Sequence, residues 1–275
     1  MDKLPTLYLD TLEKVLIDYH RISDEEYLSL GRFEPNWKQK LLLPLEKLLR
    51  LKDYTICKVM RPSKARRLVG ADWPMQAETM IGLKRLKNIR FCAEKIIEEK
   101  IEGDFIETGI WRGGATIFMR AILKAYNETS RTVWVADSFK GLPPPNETKY
   151  IHDKGDTHHT QSALSVSIED VRSNFSKYGL LDDQVKFLIG WFSETLPSAP
   201  IKKLSLLRLD GDMYESTIDA LNYLYPKVTV GGYIIVDDWG AVPACQKAVL
   251  DYRERNKIDD ELIPIDWAGV FWKKS

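Results

Sequence analysis

Short apolar runs alternate with stretches whose apolar residues recur every three or four positions through most of this chain. The first pattern predicts strands buried on both faces and the second amphipathic helices. Met80, Leu83, Leu86, Ile89, Ala93 and Ile96 share a helical face, which predicts one helix over residues 76–100. A strand follows at Gly103-Asp-Phe-Ile-Glu107, then a glycine-containing turn, then a helix from Ala115 to Tyr126. Thr132 to Asp137 and Val185 to Ile189 read as strands, with a helix over 168–178 between them. Two further strands, Leu204-Ser-Leu-Leu-Arg-Leu and Gly231-Gly-Tyr-Ile-Ile-Val, flank another helix, and Ile263 to Lys273 reads as two short strands at a sheet edge. This alternation predicts an α/β fold with a mostly parallel sheet and helices on both faces. Residues 1–75 depart from it. They carry helical spacing at Leu7 to Ile17 and Lys38 to Lys52 and are otherwise irregular, so they predict a helical cap and oligomer contact beside a catalytic domain over 76–275. Residues 138–167 are rich in Pro, Gly, Asp and His and lack periodicity; a loop of that length is usually functional or disordered.

Both late strands end in acids, Asp210-Gly-Asp212 and Asp237-Asp238, 27 residues apart from Asp210 to Asp237. That is about one strand-helix-strand unit, so parallel pairing delivers the acids to one sheet edge, where open α/β sheets bind ligands. Converging carboxylates repel one another unless compensated, and a hard divalent cation with oxygen ligands is the usual compensation. Asp210, Asp237 and Asp238 are the candidate ligands, with Asp212 a ligand or a support. The alternative is that the acids cap the helices that follow.

The turn Glu107-Thr108-Gly109-Ile-Trp-Arg112-Gly-Gly114 joins a strand to a helix, and Asp137 ends the next strand 30 residues after Glu107. An acid at that station commonly accepts hydrogen bonds from ribose hydroxyls. Glu107 inside the turn disfavours a pyrophosphate and favours a nucleoside cofactor with a positive end, with Glu107, Thr108, Gly109 and Arg112 of the turn as its candidate contacts, together with Gly190. The plainer reading is a strand-helix turn alone. Gly190-Trp191 follows the strand at 185–189; the indole either stacks on a purine or joins the core. His152, His158 and His159 crowd the long loop, and histidine is the commonest general base near neutral pH.

Composition narrows the classes. The 275 residues carry 40 basic and 40 acidic side chains, which argues against nucleic-acid binding through a generally basic surface. Three widely spaced cysteines show no disulfide or zinc framework and fit a reducing cytosol. No signal peptide is indicated at the N-terminus, and no run approaches the roughly 20 apolar residues of a membrane span. A soluble cytoplasmic protein is expected.

Phe105-Ile-Glu-Thr-Gly-Ile-Trp-Arg-Gly-Gly114, Val133-Trp-Val-Ala-Asp-Ser-Phe-Lys-Gly-Leu-Pro143, Gly179 to Val185, Leu207 to Thr217 and Gly231 to Asp238 together resemble the TylF/MycF family of macrocin-type O-methyltransferases. The resemblance covers about residues 76–275; before that only Leu7-Tyr-Leu-Asp10 is similar. It implies a class I methyltransferase (Rossmann-like) fold, S-adenosylmethionine and Mg²⁺ as cofactors, and a sugar hydroxyl of a glycosylated natural product as the acceptor. Thr79, Glu107 and Asp137 would touch the cofactor, with Ser138 nearby and Trp191 near the adenine. Asp210, Asp237 and Asp238 would hold the metal. The base would come from the loop, where counting from Asp137 points to His158 with His159 adjacent. Two rivals stay open: a glycosyltransferase using Asp210-Gly-Asp212 as an Asp-x-Asp metal site, and a cofactor-binding homologue without catalysis.

Overall fold

Alternation of side chains across each strand explains the layers of the fold. A computed structural model describes residues 3–22, 25–30 and 37–275; expectations for 1–2, 23–24 and 31–36 lie outside it. The elements run α1 (Lys3–Leu16), β1 (Glu26–Ser29), α2 (Trp37–Lys40), α3 (Leu43–Arg50), β2 (Cys57–Met60), α4 (Lys64–Leu68), α5 (Gly82–Glu98), β3 (Asp104–Thr108), α6 (Gly114–Ala125) and β4 (Val133–Asp137). They continue with α7 (Ile168–Lys177), β5 (Val185–Ile189), α8 (Phe192–Thr195), β6 (Leu204–Leu209), α9 (Tyr214–Leu224), β7 (Val228–Val236), α10 (Pro243–Asn256), β8 (Ile263–Pro264) and β9 (Val270–Lys273). The main sheet has the order β5-β4-β3-β6-β7-β9-β8. Its first five strands pair in parallel, and β9 and β8 close one edge antiparallel.

Phe105, Leu206, Tyr233 and Ile235 enter one core with α1, α5 and α6. Their neighbours Ile106, Leu207, Ile234 and Val236 enter a second core with α9 and α10 on the other face. The period of two thus feeds both layers from the same strands. Every residue of β6 is buried, as expected of a central parallel strand. The chain leaves β3 for β4 on one side and returns to β6 on the other, so the topological switch lies between β3 and β6.

Three local expectations change. Residues 76–81 are not helical; α5 starts only at Gly82, and the Ile81 amide donates to Thr79 Oγ1 at 3.3 Å. Ala77 and Ile81 are buried and Met80 is half-buried by tertiary contact, which imitates helical spacing. Residues 1–75 also hold an antiparallel pair, β1 with β2, too short to show as a period. Finally, Leu9, Leu12, Leu16 and Ile17 belong to the same core as α5 and α6, so α1 is part of the main packing. The α3 region behaves otherwise. Leu41, Leu45, Leu48 and Leu51 are exposed, while Glu46 turns inward to accept from Thr55 Oγ1 and the Ile56 amide, both at 2.6 Å. Among the described residues no helix is long and apolar enough to cross a membrane.

Candidate active site

Sheet register assembles the acids. Glu107 on β3 sits opposite Arg208 on β6, and Arg208 opposite Ile235 on β7. Two residues further on, Asp210 and Asp237 therefore return to the face that Arg208 occupies. The ladder continues past the strand ends: the Asp210 amide donates to the Thr108 carbonyl and the Asp237 amide to the Leu209 carbonyl, each at 2.9 Å. Gly109 has φ +83°, and a Cβ there would stand 1.8 Å from the Asp210 carbonyl oxygen. Only glycine lets β3 and β6 approach this closely at the switch point.

A cavity of about 740 Å³ opens over this edge. Thr79, Glu107, Gly109, Asp137, Ser138, His158, Gly190, Trp191, Asp210, Asp212, Asp237 and Asp238 all line it. Asp137 accepts from the Ile110 amide at 2.9 Å and the Phe139 amide at 2.7 Å, so its carboxylate shapes the turn after β3 as well as facing the cavity. Ser138 Oγ donates to the Gly141 carbonyl at 2.7 Å, folding the start of the long loop. Three sequence candidates lie elsewhere. Thr108 is buried, its hydroxyl 3.4 Å from the Arg208 carbonyl. Arg112 stacks on Trp111 and donates to the carbonyls of Met75 and Ala77, so it braces the segment leading to Thr79. His159 is exposed and does not line the cavity.

Asp210, Asp237 and Asp238 offer ligand oxygens within 4.8 Å of one another. Part of the expected compensation is a protein cation. Arg208, fully buried, pairs with Glu107, Asp210 and Asp237, and Arg85 pairs with Asp237 and Asp266. Sequence reading passed over both. Arg208 did carry a signal, being a cation inside an otherwise apolar strand. Arg85 carried none, since its partner Asp237 lies 152 residues away. Among the described residues, two guanidiniums pair with Glu107, Asp210, Asp237 and Asp266, and Asp212 and Asp238 add two more carboxyls to the same edge. Burial and then the charges of Asp212, Asp210 and Asp237 hold the Asp238 carboxyl well above the usual carboxylate range. Burial and the charge of Asp210 push Asp212 up to about 7. An excess of negative charge beside three convergent oxygens fits a divalent cation.

Glu107 is pushed up to about 7, chiefly by burial, with Arg208 opposing. Its folded-state value lies above its unfolded one, so the folded protein holds extra proton between them. The stability this brings is complete below the unfolded value and is lost as pH rises through about 7; Asp212 acts in the same direction. Without added cofactor, thermal unfolding is expected at a higher temperature at about pH 6 than at about pH 8. Glu107→Gln should flatten that slope, and a midpoint that rises over the same interval would refute the account.

His158 is half-buried, with Nδ1 2.7 Å from Asp156 Oδ2 and its amide donating to Asp156 Oδ1 at 2.8 Å. Burial alone would lower its pKa, but the Asp156 hydrogen bond and the charge of Asp212 outweigh that and raise it. His152 instead stacks on Tyr214, ring centroids 5.2 Å apart. No histidine joins the metal-competent cluster among the described residues.

The family model for macrocin O-methyltransferases (TylF) matches residues 5–274. The chain belongs to this family. Membership extends through the N-terminal segment, beyond the 76–275 reached by the motifs, consistent with α1 lying in the main core. Demethyldecarbamoylnovobiocin O-methyltransferase of Streptomyces niveus is 56% identical over 207 residues, 75% of this chain and 79% of that protein. Mycinamicin III 3''-O-methyltransferase of Micromonospora griseorubida is 49% identical over 209 residues, 75% and 82% of the two chains. The solved structure of the O-methyltransferase NovP matches with a TM-score of 0.83 at 46% identity, covering 98% of this chain and 99% of that one. The seven-stranded sheet is thus a class I methyltransferase fold and the chain an O-methyltransferase, which sets the glycosyltransferase reading of Asp210-Gly-Asp212 aside.

Proposed function

We propose that this macrocin-family enzyme methylates a sugar hydroxyl of a glycosylated natural product, using S-adenosylmethionine and Mg²⁺. The observation that carries the reading is the meeting of Asp210, Asp237 and Asp238 with His158 on the wall of one cavity at the switch point. The relatives named for glycosylated acceptors, at 49% to 56% identity, support the substrate class.

The residues fit both groups. Gly109 lets the turn after β3 lie against the end of β6, and Thr79, Glu107, Asp137, Ser138, Gly190 and Trp191 border the cavity beside it. Asp210, Asp237 and Asp238 would hold the metal. When bound, S-adenosylmethionine supplies an electrophilic methyl on a cationic sulfur, and Mg²⁺ acidifies a coordinated hydroxyl. The enzyme's own side chains do the rest. Asp137 and Glu107 provide negative charge toward a cationic, hydroxylated cofactor. His158 Nε2 takes the hydroxyl proton, while Asp156 holds Nδ1 and so sets the tautomer and ring orientation. The loop that carries His158 also contributes Leu142, Pro143, Asn146 and Leu164 to the cavity wall. The exposed leucines around α3 support a homo-oligomer, to be checked by light scattering.

The test is methyl transfer from S-adenosylmethionine to demethyldecarbamoylnovobiocin, mycinamicin III and simpler glycosides, read by product mass. Dialysis against EDTA is expected to lower the rate on the order of 10²-fold, with recovery on adding Mg²⁺. Full activity after chelation would remove the metal from the reading. Normal cofactor binding with no transfer to any glycoside would overturn the acceptor class.

A further inference from the structure

His158 stands on a long loop, yet its position is not left to the loop itself. Asp153, five residues earlier, is almost completely buried. Its carboxylate accepts from the Tyr214 amide at 2.7 Å and the Glu215 amide at 3.0 Å. These are amides of the first turn of α9, which lack carbonyl partners within the helix. Met213, the residue at the helix start, supplies no side-chain cap. A carboxylate 61 residues away in sequence therefore caps this helix, a placement that also suits the positive end of the helix dipole.

The cap leads to the histidine in two more steps. The Asp156 amide donates to the Asp153 carbonyl at 3.0 Å. Asp156 then holds His158 through both its backbone amide and Nδ1. On the far side, Trp111 Nε1 donates to the Ala163 carbonyl at 2.9 Å, tying the loop to the turn after β3. His158 is midway between these anchors. One anchor grips the helix that follows Asp210 and Asp212, and the other the turn that follows Glu107.

We propose that Asp153 is a positioning residue: by capping α9 it fixes, through Asp156, where the His158 imidazole stands over the carboxylate edge. The proposal rests on the reading of His158 as the base. Losing the cap should loosen the loop and α9's first turn together while leaving the cofactor side of the cavity intact, since no link in the chain touches Asp137 or Gly109.

The test compares Asp153→Ala, which removes the acceptor, with Asp153→Asn, which keeps an oxygen able to cap. Hydrogen exchange is followed by mass spectrometry in peptides spanning 150–165 and 212–218. Both should exchange about tenfold faster in Asp153→Ala, with peptides of β3, β6 and β7 unchanged, and Asp153→Asn, which keeps one of the two accepting oxygens, should restore part of the protection. Carbethoxylation of His158 by diethyl pyrocarbonate should accelerate several-fold in Asp153→Ala, and the dissociation constant for S-adenosylmethionine should stay within about twofold. If Asp153→Ala does not fold, Asp156→Ala tests the second link: faster His158 modification with α9 exchange unchanged. Exchange unaltered by Asp153→Ala, equal damage from Asp153→Asn, or a comparable loss of cofactor affinity would overturn the proposal. His158→Ala separates the two levels in turnover. Full turnover there removes the base, whereas an inactive His158→Ala beside a fully active Asp153→Ala removes only the positioning role.

Discussion

Replacing Arg208 with methionine is expected to destabilise the protein by roughly 3–5 kcal/mol, the cost of breaking a buried ion cluster from one side. Arg208 is completely buried and pairs with Glu107, Asp210 and Asp237. Methionine fills most of the volume but leaves these three carboxylates facing one another, with Arg85 already shared between Asp237 and Asp266. The lost charge also gives the variant a distinct pH dependence. Burial already raises the Glu107 and Asp210 carboxyls against the opposing charge of Arg208, so without Arg208 these two titrate higher still in the folded state. The folded variant then holds extra protons, and its stability falls as pH rises. Urea denaturation at about pH 5.5 and about pH 8 should therefore show the smaller deficit at the lower pH. A deficit equal at both would mean that packing, and not charge, explains the loss. Adding Glu107→Gln to the variant should recover part of it, because one of the stranded charges is gone.

His158→Ala is expected to lower turnover by about 10²- to 10⁴-fold, the usual contribution of a positioned general base, whereas His159→Ala should stay within about twofold of the parent. The two residues are adjacent in sequence but differ in setting. His158 lines the cavity and is held by Asp156, while His159 is exposed and outside it. The pH profile gives an independent check. A base works unprotonated, and the Asp156 hydrogen bond and the charge of Asp212 hold the His158 pKa above its ordinary value, so activity should fall on acidification through a pKa raised above that of a free imidazole. Asp156→Asn removes the negative partner and should move that limb to lower pH. Equal losses in the two histidine variants, or an acid limb unaffected by Asp156→Asn, would remove His158 from the base role.

Strand-borne parts of the site were legible because their signal is local. A buried strand ending in acids announces where its end lies, and a period of two states which side chains share a face. Asp210, Asp237, Asp238, Glu107 and Asp137 were all found that way and all line one cavity. Loop-borne and long-range parts were not. Trp191 left a choice between core and ligand wall, and the structure sets it on the cavity. Arg112, in the glycine turn, read as a ligand contact but is occupied by the carbonyls of residues 75 and 77.

By itself the sequence determined the alternating α/β order, the strands that carry the acids, the glycine at the switch point and, through its combined motifs, the family. Each of these is written in neighbouring residues, within one strand, one turn or one helical face. The tertiary structure alone decided what offsets the acids, which histidine faces them and what holds it there. Those answers depend on groups brought together by packing, Arg85 with Asp237 across 152 residues and Asp153 with Tyr214 across 61. No local period encodes such pairs, because each partner's place is set by the sheet and helices between them.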